Sequence, residues 1–284
     1  MLTGPHGPCN TQCDRPDARC HQDELHPFRR DDCAPPACEV YYNVTTQTQC
    51  NWPTEENARR EIVQVCRLLW QKGYVAATDG NVSVRLGPGR LVTTPTAVSK
   101  TVVTEEQLVL CDLTGAPLPA AEQQTAGLRP SSEIRLHCEA YRQRPDIRAV
   151  VHAHPPLSVA FSVAGVSLAE PVLPEVLVNL GEIPTTRYAT PSSADGPEVI
   201  RELIVTHDAL ILERHGSVTV GRSAFDAYLK LEKVEYAAQV ILAARQLGQV
   251  RPIPPAEVKH LYEIRREMYG VTTDGNGGRV QNPD

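Results

Sequence analysis

The chain predicts an α/β protein of three layers, in which a central, mainly antiparallel sheet is covered by helices on both faces. Three observations lead there. Amphipathic helical stripes alternate with short runs of β-branched residues along most of the sequence. Two of those runs flank the turn 86–90 (Leu-Gly-Pro-Gly-Arg), which is too short for a crossover and so joins antiparallel neighbours, making an all-parallel sheet untenable. With 284 residues, 41% of them hydrophobic, there is apolar material for a substantial core.

Charge narrows the function. The net charge of −6 is spread over interspersed acids and bases, without the basic patch that nucleic acid requires. No stretch approaches the roughly 18 to 20 uninterrupted apolar residues of a membrane span, and the start of the chain lacks the apolar core of a signal peptide. A cytoplasmic protein with neither nucleic acid nor membrane as partner is expected.

Residues 1–51 stand apart. Six of the nine cysteines (Cys9, Cys13, Cys20, Cys33, Cys38, Cys50) fall there beside six prolines, with no apolar period of 2 or 3.6 residues. Three readings stay open: a disordered extension, a disulfide-stapled appendage, or a small zinc module using His21 and His26. The spacings Cys-x3-Cys, Cys-x6-Cys and Cys-x4-Cys match no common zinc pattern, and disulfides fit the cytoplasm poorly, so disorder is the expectation.

The folded domain is expected over 52–270. Residues 54–72 carry Ala58, Ile62, Val65, Cys66, Leu69 and Trp70 at three- and four-residue steps, a helical stripe with Thr54 as N-cap and Gly73 as stop. Residues 77–85 form a small, polar turn running into an alternating strand. That turn suits an anion through its backbone N–H groups and the Asn81 amide; it equally suits an ordinary Asp-Gly hairpin turn. Residues 91–94 and 108–112 read as strands, and 115–130 as a long loop of the kind that is commonly functional or mobile.

Ser131 and Ser132 start the next helix, with Ile134, Leu136, Cys138 and Tyr141 as its apolar contacts. The serine pair either caps the helix or offers hydroxyls and N–H groups to a phosphate, and Glu133 in the first turn either complements the helix dipole or does chemistry. The apolar run 149–151 makes a strand ending in His152-Ala-His154. Residues 155–163 and 173–180 read as short helices, and 188–193 as a polar turn, with Ser193 or Asp195 capping a helix to about 207. Residues 209–212 and 218–220 are a strand pair interrupted by Arg214-His215-Gly216-Ser217. Two helices follow, 223–247 and 255–269, the first with Ala224, Ala227, Leu231, Val234, Ala238, Ile241 and Leu242 along one side. The Gly/Asn-rich tail 271–284 is expected to be disordered, and Cys66, Cys111 and Cys138 to be buried small hydrophobes.

Alternation places His152 and His154 on one strand face, where both imidazoles can address a single metal ion. His215, at the end of another apolar run, is the candidate third ligand, and Glu133 the carboxylate. Any one of these histidines alone would read as a satisfied side chain. Together they need a common partner.

Gly80-Asn81-Val-Ser, Thr94-Pro95-Thr96, Ser131-Ser132-Glu133, His152-Ala-His154 and His215-Gly216, in this order and at these intervals, resemble the class II aldolase/adducin family over about residues 54–247, and most closely its L-fuculose-1-phosphate aldolase branch. The resemblance implies a zinc-dependent aldolase acting on a sugar phosphate, assembled as a homotetramer with active sites between subunits. By position it implies His152, His154 and His215 as zinc ligands, Glu133 as acid/base, and Gly80, Asn81, Thr96, Ala97, Ser131 and Ser132 as the substrate-phosphate cradle. The sequence departs from the branch at Ala97, where glycine is usual, and at Pro174-Glu175, where the branch has a tyrosine that serves the neighbouring subunit. Sister epimerases carry aspartate at the place of Glu133; methylthioribulose-1-phosphate dehydratases share the glutamate. Zinc on three neutral histidines keeps a position open, so it can polarise a ketose phosphate and stabilise the charge that develops as a carbon–carbon bond breaks.

Overall fold

Helix α1 (Glu55–Gln71) opens the described chain, which covers residues 52–124 and 126–270 of the computed structural model and two short strands beyond. The chain divides into Met1–Gln49 and Cys50–Asp284. The expected Cys/Pro-rich extension, residues 1–51, lies outside the described residues. Thr54 caps α1 by accepting the Asn57 N–H at 3.2 Å, which satisfies one of the donors a helix start leaves free. The predicted stripe buries Ala58, Ile62, Val65, Cys66 and Leu69, but Trp70 is 53% exposed and faces away. A spacing of one residue from Leu69 rotates it by about 100°, past the edge of the buried face.

Six strands form one sheet in the order β3-β2-β1-β4-β6-β5, every adjacent pair antiparallel. They are β1 (Asn81–Gly87), β2 (Arg90–Thr93), β3 (Val109–Cys111), β4 (Ala149–Ala153), β5 (Ala209–Leu212) and β6 (Gly216–Gly221). The expected β1–β2 hairpin is present, with a bulge between Arg85 and Gly87. Helices α1, α3 (Pro156–Val163), α4 (Pro174–Asn179) and α7 (Ala224–Leu247) cover the face that carries Val82, Val84, Val151 and Ile211. Helices α2 (Ile134–Gln143), α5 (Asp195–Ile200) and α6 (Leu203–Thr206) cover the face of Leu91, Val150, Leu210 and Val218. Both clusters consist largely of fully buried aliphatic side chains, each worth about 1.5 to 3 kcal/mol over exposure. The predicted three-layer architecture is the one observed.

Some local expectations change. The helix after the serine pair begins at Ile134: Ser131 and Ser132 precede it, and Glu133 occupies the N-cap without any capping bond from its side chain. The helix expected from about 195 to 207 is broken into α5 and α6 by the turn at Arg201 and Glu202. Leu242 on α7 is 36% exposed, whereas Ile241 is buried. Cys66, Cys111 and Cys138 are fully buried free thiols, as expected; burial pushes the Cys66 thiol up to about 12 and that of Cys138 to about 11. Helix α8 (Pro255–Tyr269) ends at Gly270, left-handed at φ 63°. Most of the tail 271–284 lies outside the described residues; within it Thr272–Thr273 and Arg279–Val280 pair as a short antiparallel ladder. No described helix is long and apolar enough to cross a membrane.

Candidate functional site

The strand register brings the predicted cluster together. In the sheet, His152 on β4 pairs with Asn81 on β1 and with Val218 on β6, so the ends of three central strands meet at one edge. His152 shares the face of Val150, beneath α2, and is fully buried. His154 lies just past the end of β4 and His215 in the β5–β6 turn, immediately before Gly216. Glu133 reaches in from the start of α2.

One ligand atom from each of Glu133, His152, His154 and His215 falls within 4.8 Å of all the others. The three rings stand around a common centre, with centroids 4.8 to 4.9 Å apart and planes 59 to 63° to one another. His154 Nε2 is 3.0 Å from His152 Nε2; Glu133 Oε2 is 3.1 Å from His152 Nε2, and its Oε1 is 3.4 Å from His215 Nε2. Asn81 Nδ2 donates to Glu133 Oε2 at 3.3 Å.

The protonation states suit a cation. A carbonyl oxygen only accepts, so in the 2.9 Å contact between His152 Nδ1 and Ser217 O the ring donates from Nδ1, which turns Nε2 toward the centre. Burial first, then the neighbouring imidazoles, depress His154 to about 3 and His215 to about 4, so both rings are neutral at pH 7. For Glu133 burial acts upward, but the hydrogen bond to His152 and the surrounding imidazoles outweigh it and hold the carboxyl well below the usual range. Ring nitrogens 3.0 Å apart beside a carboxylate form a pocket of borderline N and hard O donors. That donor set fits a divalent transition-metal ion.

Close approach at the centre depends on Gly216. A Cβ there would stand 2.5 Å from Ala153 O, 2.7 Å from His154 Cδ2 and 3.0 Å from His152 Cε1. Gly80 is similarly constrained: φ is 71°, and a Cβ would meet Val75 Cγ1 at 2.6 Å and His152 O at 3.0 Å. The Asp79-Gly80 turn therefore delivers Asn81 to the cluster; it leads from α1 into β1 and closes no hairpin.

The other predicted cradle residues lie on two loops that a bridge ties together. Pro95 pairs with Pro130, the Ser131 N–H donates to Thr94 O at 3.1 Å, and the Thr96 N–H donates to Arg129 O at 3.0 Å. Ala97 follows in the left-handed region at φ 60°. Ser131 is buried, and its hydroxyl accepts the Glu133 N–H at 3.3 Å. Ser132 turns outward to Ser192, Oγ to Oγ 3.0 Å.

Several neighbours were not evident beforehand. A narrow, solvent-open cleft lies beside Glu133 and His215, lined by Ser132, Arg135, Thr190, Ser192 and Ser193 among others. It lies on the β5 side of the cluster, whereas Asn81 and Thr96 lie on the β1–β2 side. Behind the cluster, His137 Nδ1 is 2.7 Å from Ser83 Oγ, which in turn is 2.9 Å from Tyr141 Oη; His137 Nε2 is buried, with no hydrogen-bond partner among the described residues. The four-residue step from Glu133 to His137 was the one available signal.

The chain matches the family model for the class II aldolase and adducin N-terminal domain over residues 60–242. It is 34% identical over 180 residues to the L-fuculose phosphate aldolase of Methanococcus maripaludis, covering 63% of this chain and 93% of that one. It is 35% identical over 194 residues to the methylthioribulose-1-phosphate dehydratase of Methylococcus capsulatus, covering 64% and 91%. Among solved structures, YgbL of Klebsiella pneumoniae, described in terms of aldolase, epimerase and decarboxylase chemistry, superposes with a TM-score of 0.66 at 29% identity, covering 74% of this chain and 99% of that one. The protein is a member of the class II aldolase and adducin family.

Proposed function

We propose that the protein is a zinc-dependent aldolase that cleaves a ketose 1-phosphate, such as L-fuculose 1-phosphate, into dihydroxyacetone phosphate and an aldehyde, working as a homotetramer. The observation that carries this reading is the convergence of three imidazoles on Glu133, itself tied to Asn81. His152, His154 and His215 would hold the ion. When bound, it supplies Lewis acidity for the negative charge that develops during carbon–carbon cleavage.

The protein's own groups do the rest. Asn81 fixes Glu133 Oε2 by donating to it, leaving Oε1 to carry the proton between substrate carbon or oxygen atoms. Gly80, Asn81, Thr96, Ala97 and Ser131 would hold the phosphate on the β1–β2 side, with Ser132 at the border to the cleft, and the left-handed turns at Gly80 and Ala97 would offer it backbone donors. The cleft on the β5 side would receive the fragment released as aldehyde, so that the scissile bond lies over the cluster.

A second reading is dehydration of methylthioribulose 1-phosphate. The glutamate at position 133 and the 35% identity to such a dehydratase favour it, whereas the glutamate disfavours an epimerase. The test is a coupled assay for dihydroxyacetone phosphate release over a panel of ketose 1-phosphates. Release from one of them supports the aldolase and names its sugar. Failure across the panel, with methylthioribulose 1-phosphate consumed, would replace it with the dehydratase; ribulose 5-phosphate epimerisation and decarboxylation of a 3-oxo acid phosphate complete the panel.

A further inference from the structure

The residue that stands out beneath the cradle is Lys100. Its side chain is 2% exposed, yet among the described residues no carboxylate forms an ion pair with it. Its Nζ donates to Thr78 O at 2.6 Å and to Val98 O at 3.2 Å. Thr78 lies two residues before Gly80, and Val98 two residues after Thr96. One ammonium therefore clasps the two loops that carry Gly80–Asn81 and Thr96–Ala97, and two of its three donors are used in doing so.

We propose that Lys100 is the cation of the anion cradle, holding its two loops in register and supplying the positive charge that makes the site take a phosphate dianion. This rests on the reading of those loops as a phosphate site. A buried ammonium without a counter-ion is costly, because neither carbonyl dipole compensates a full charge. Burial accordingly pulls the Lys100 pKa down, and the carboxylates whose charge acts in the other direction are Asp79 and Glu133. Neither is its partner: Asp79 is half exposed and faces His154 Nδ1 at 3.6 Å, while Glu133 is committed to the histidine cluster. The charge is left for something that arrives. Gly80 and Ala97, both left-handed, lie in these two loops, and the backbone N–H groups of such turns favour anions but are neutral. A compact ammonium acts on phosphate as a point charge, so it need not touch the phosphate face to contribute. A simple mechanical clasp would need the two hydrogen bonds and not the charge.

The experiment uses the full chain loaded with zinc and titrates inorganic phosphate by calorimetry, beside kinetics on the substrate found above. Lys100→Met should bind phosphate at least about tenfold more weakly than wild type and raise KM by a similar factor with kcat within threefold, whereas Lys100→Arg should stay within threefold on both. Phosphate affinity within twofold of wild type in a folded Lys100→Met protein would overturn the proposal and leave the cradle standing. Absence of phosphate binding by wild type would overturn the cradle itself and the proposal with it. Should Lys100→Met not fold, wild type carrying ¹³C-labelled lysine decides: the Cε resonance missing from Lys100→Arg should move on adding phosphate, and a resonance that stays fixed would overturn the proposal.

Discussion

Asn81 Nδ2 donates to Glu133 Oε2 across 3.3 Å, joining the first residue of β1 to the residue at the N-cap position of α2. The pair is 52 residues apart in sequence and defines which carboxylate oxygen is engaged. Replacing the donor by a like charge should therefore be severe. Asn81→Asp is expected to lose about 100-fold or more in kcat/KM while the protein stays folded, since oriented acid/base groups contribute roughly that much. Steady-state kinetics with a melting curve as control checks it.

Gly216→Ala should act on the histidines. Its Cβ would have to displace the Ala153 carbonyl and both His152 and His154, and backbone on one side gives it nowhere to go. Zinc affinity should fall by about 10-fold or more, in the range seen when metal-ligand orientation is disturbed. Titration with a competing chelator measures it; unchanged affinity would mean that the histidines tolerate the shift.

Ala97 should respond in the other direction. At φ 60° a side chain costs about 1 to 2 kcal/mol, part of which glycine returns as entropy of the unfolded chain. Ala97→Gly is expected to stabilise the fold by about 1 kcal/mol or slightly less, read as a higher denaturation midpoint. A lower midpoint would show that Ala97 is not strained.

His137 should make the fold acid-sensitive. Burial first, then His152, depress it to about 3, while the unfolded ring titrates near 6.5. Between those values the unfolded state binds the extra proton, so stability is complete above about pH 6.5 and is lost as pH falls, by up to about 1.4 kcal/mol per pH unit for this group. Urea denaturation from pH 7 to 4.5 should show a shallower loss for His137→Gln than for wild type. Equal slopes would remove His137 as the cause.

The sequence made the periodic and the paired features legible. Thr54 and Gly73 bounded α1 correctly, the expected span 255–269 is that of α8, and the His-x-His spacing predicted a shared centre that the register of β4 with β1 then delivers. What escaped depends on tertiary neighbours. Trp70 and Leu242 fit a helical stripe loosely, and only the neighbouring elements decide that Leu69 and Ile241 turn inward and they do not. The Ser83–His137–Tyr141 contacts join strand to helix across more than 50 residues, and the cleft beside His215 is formed where the 189–193 loop meets α2. Nothing in the local sequence of Lys100 announces its burial.

The central claim is that the histidines hold zinc while Glu133 moves the proton. Zinc content and substrate cleavage measured together on Glu133→Gln and His154→Ala test it most directly. The account predicts that Glu133→Gln keeps about one zinc per chain, as three histidine ligands allow, and loses cleavage, while His154→Ala loses both. Full activity in Glu133→Gln, or a zinc-loaded and active His154→Ala, would contradict it.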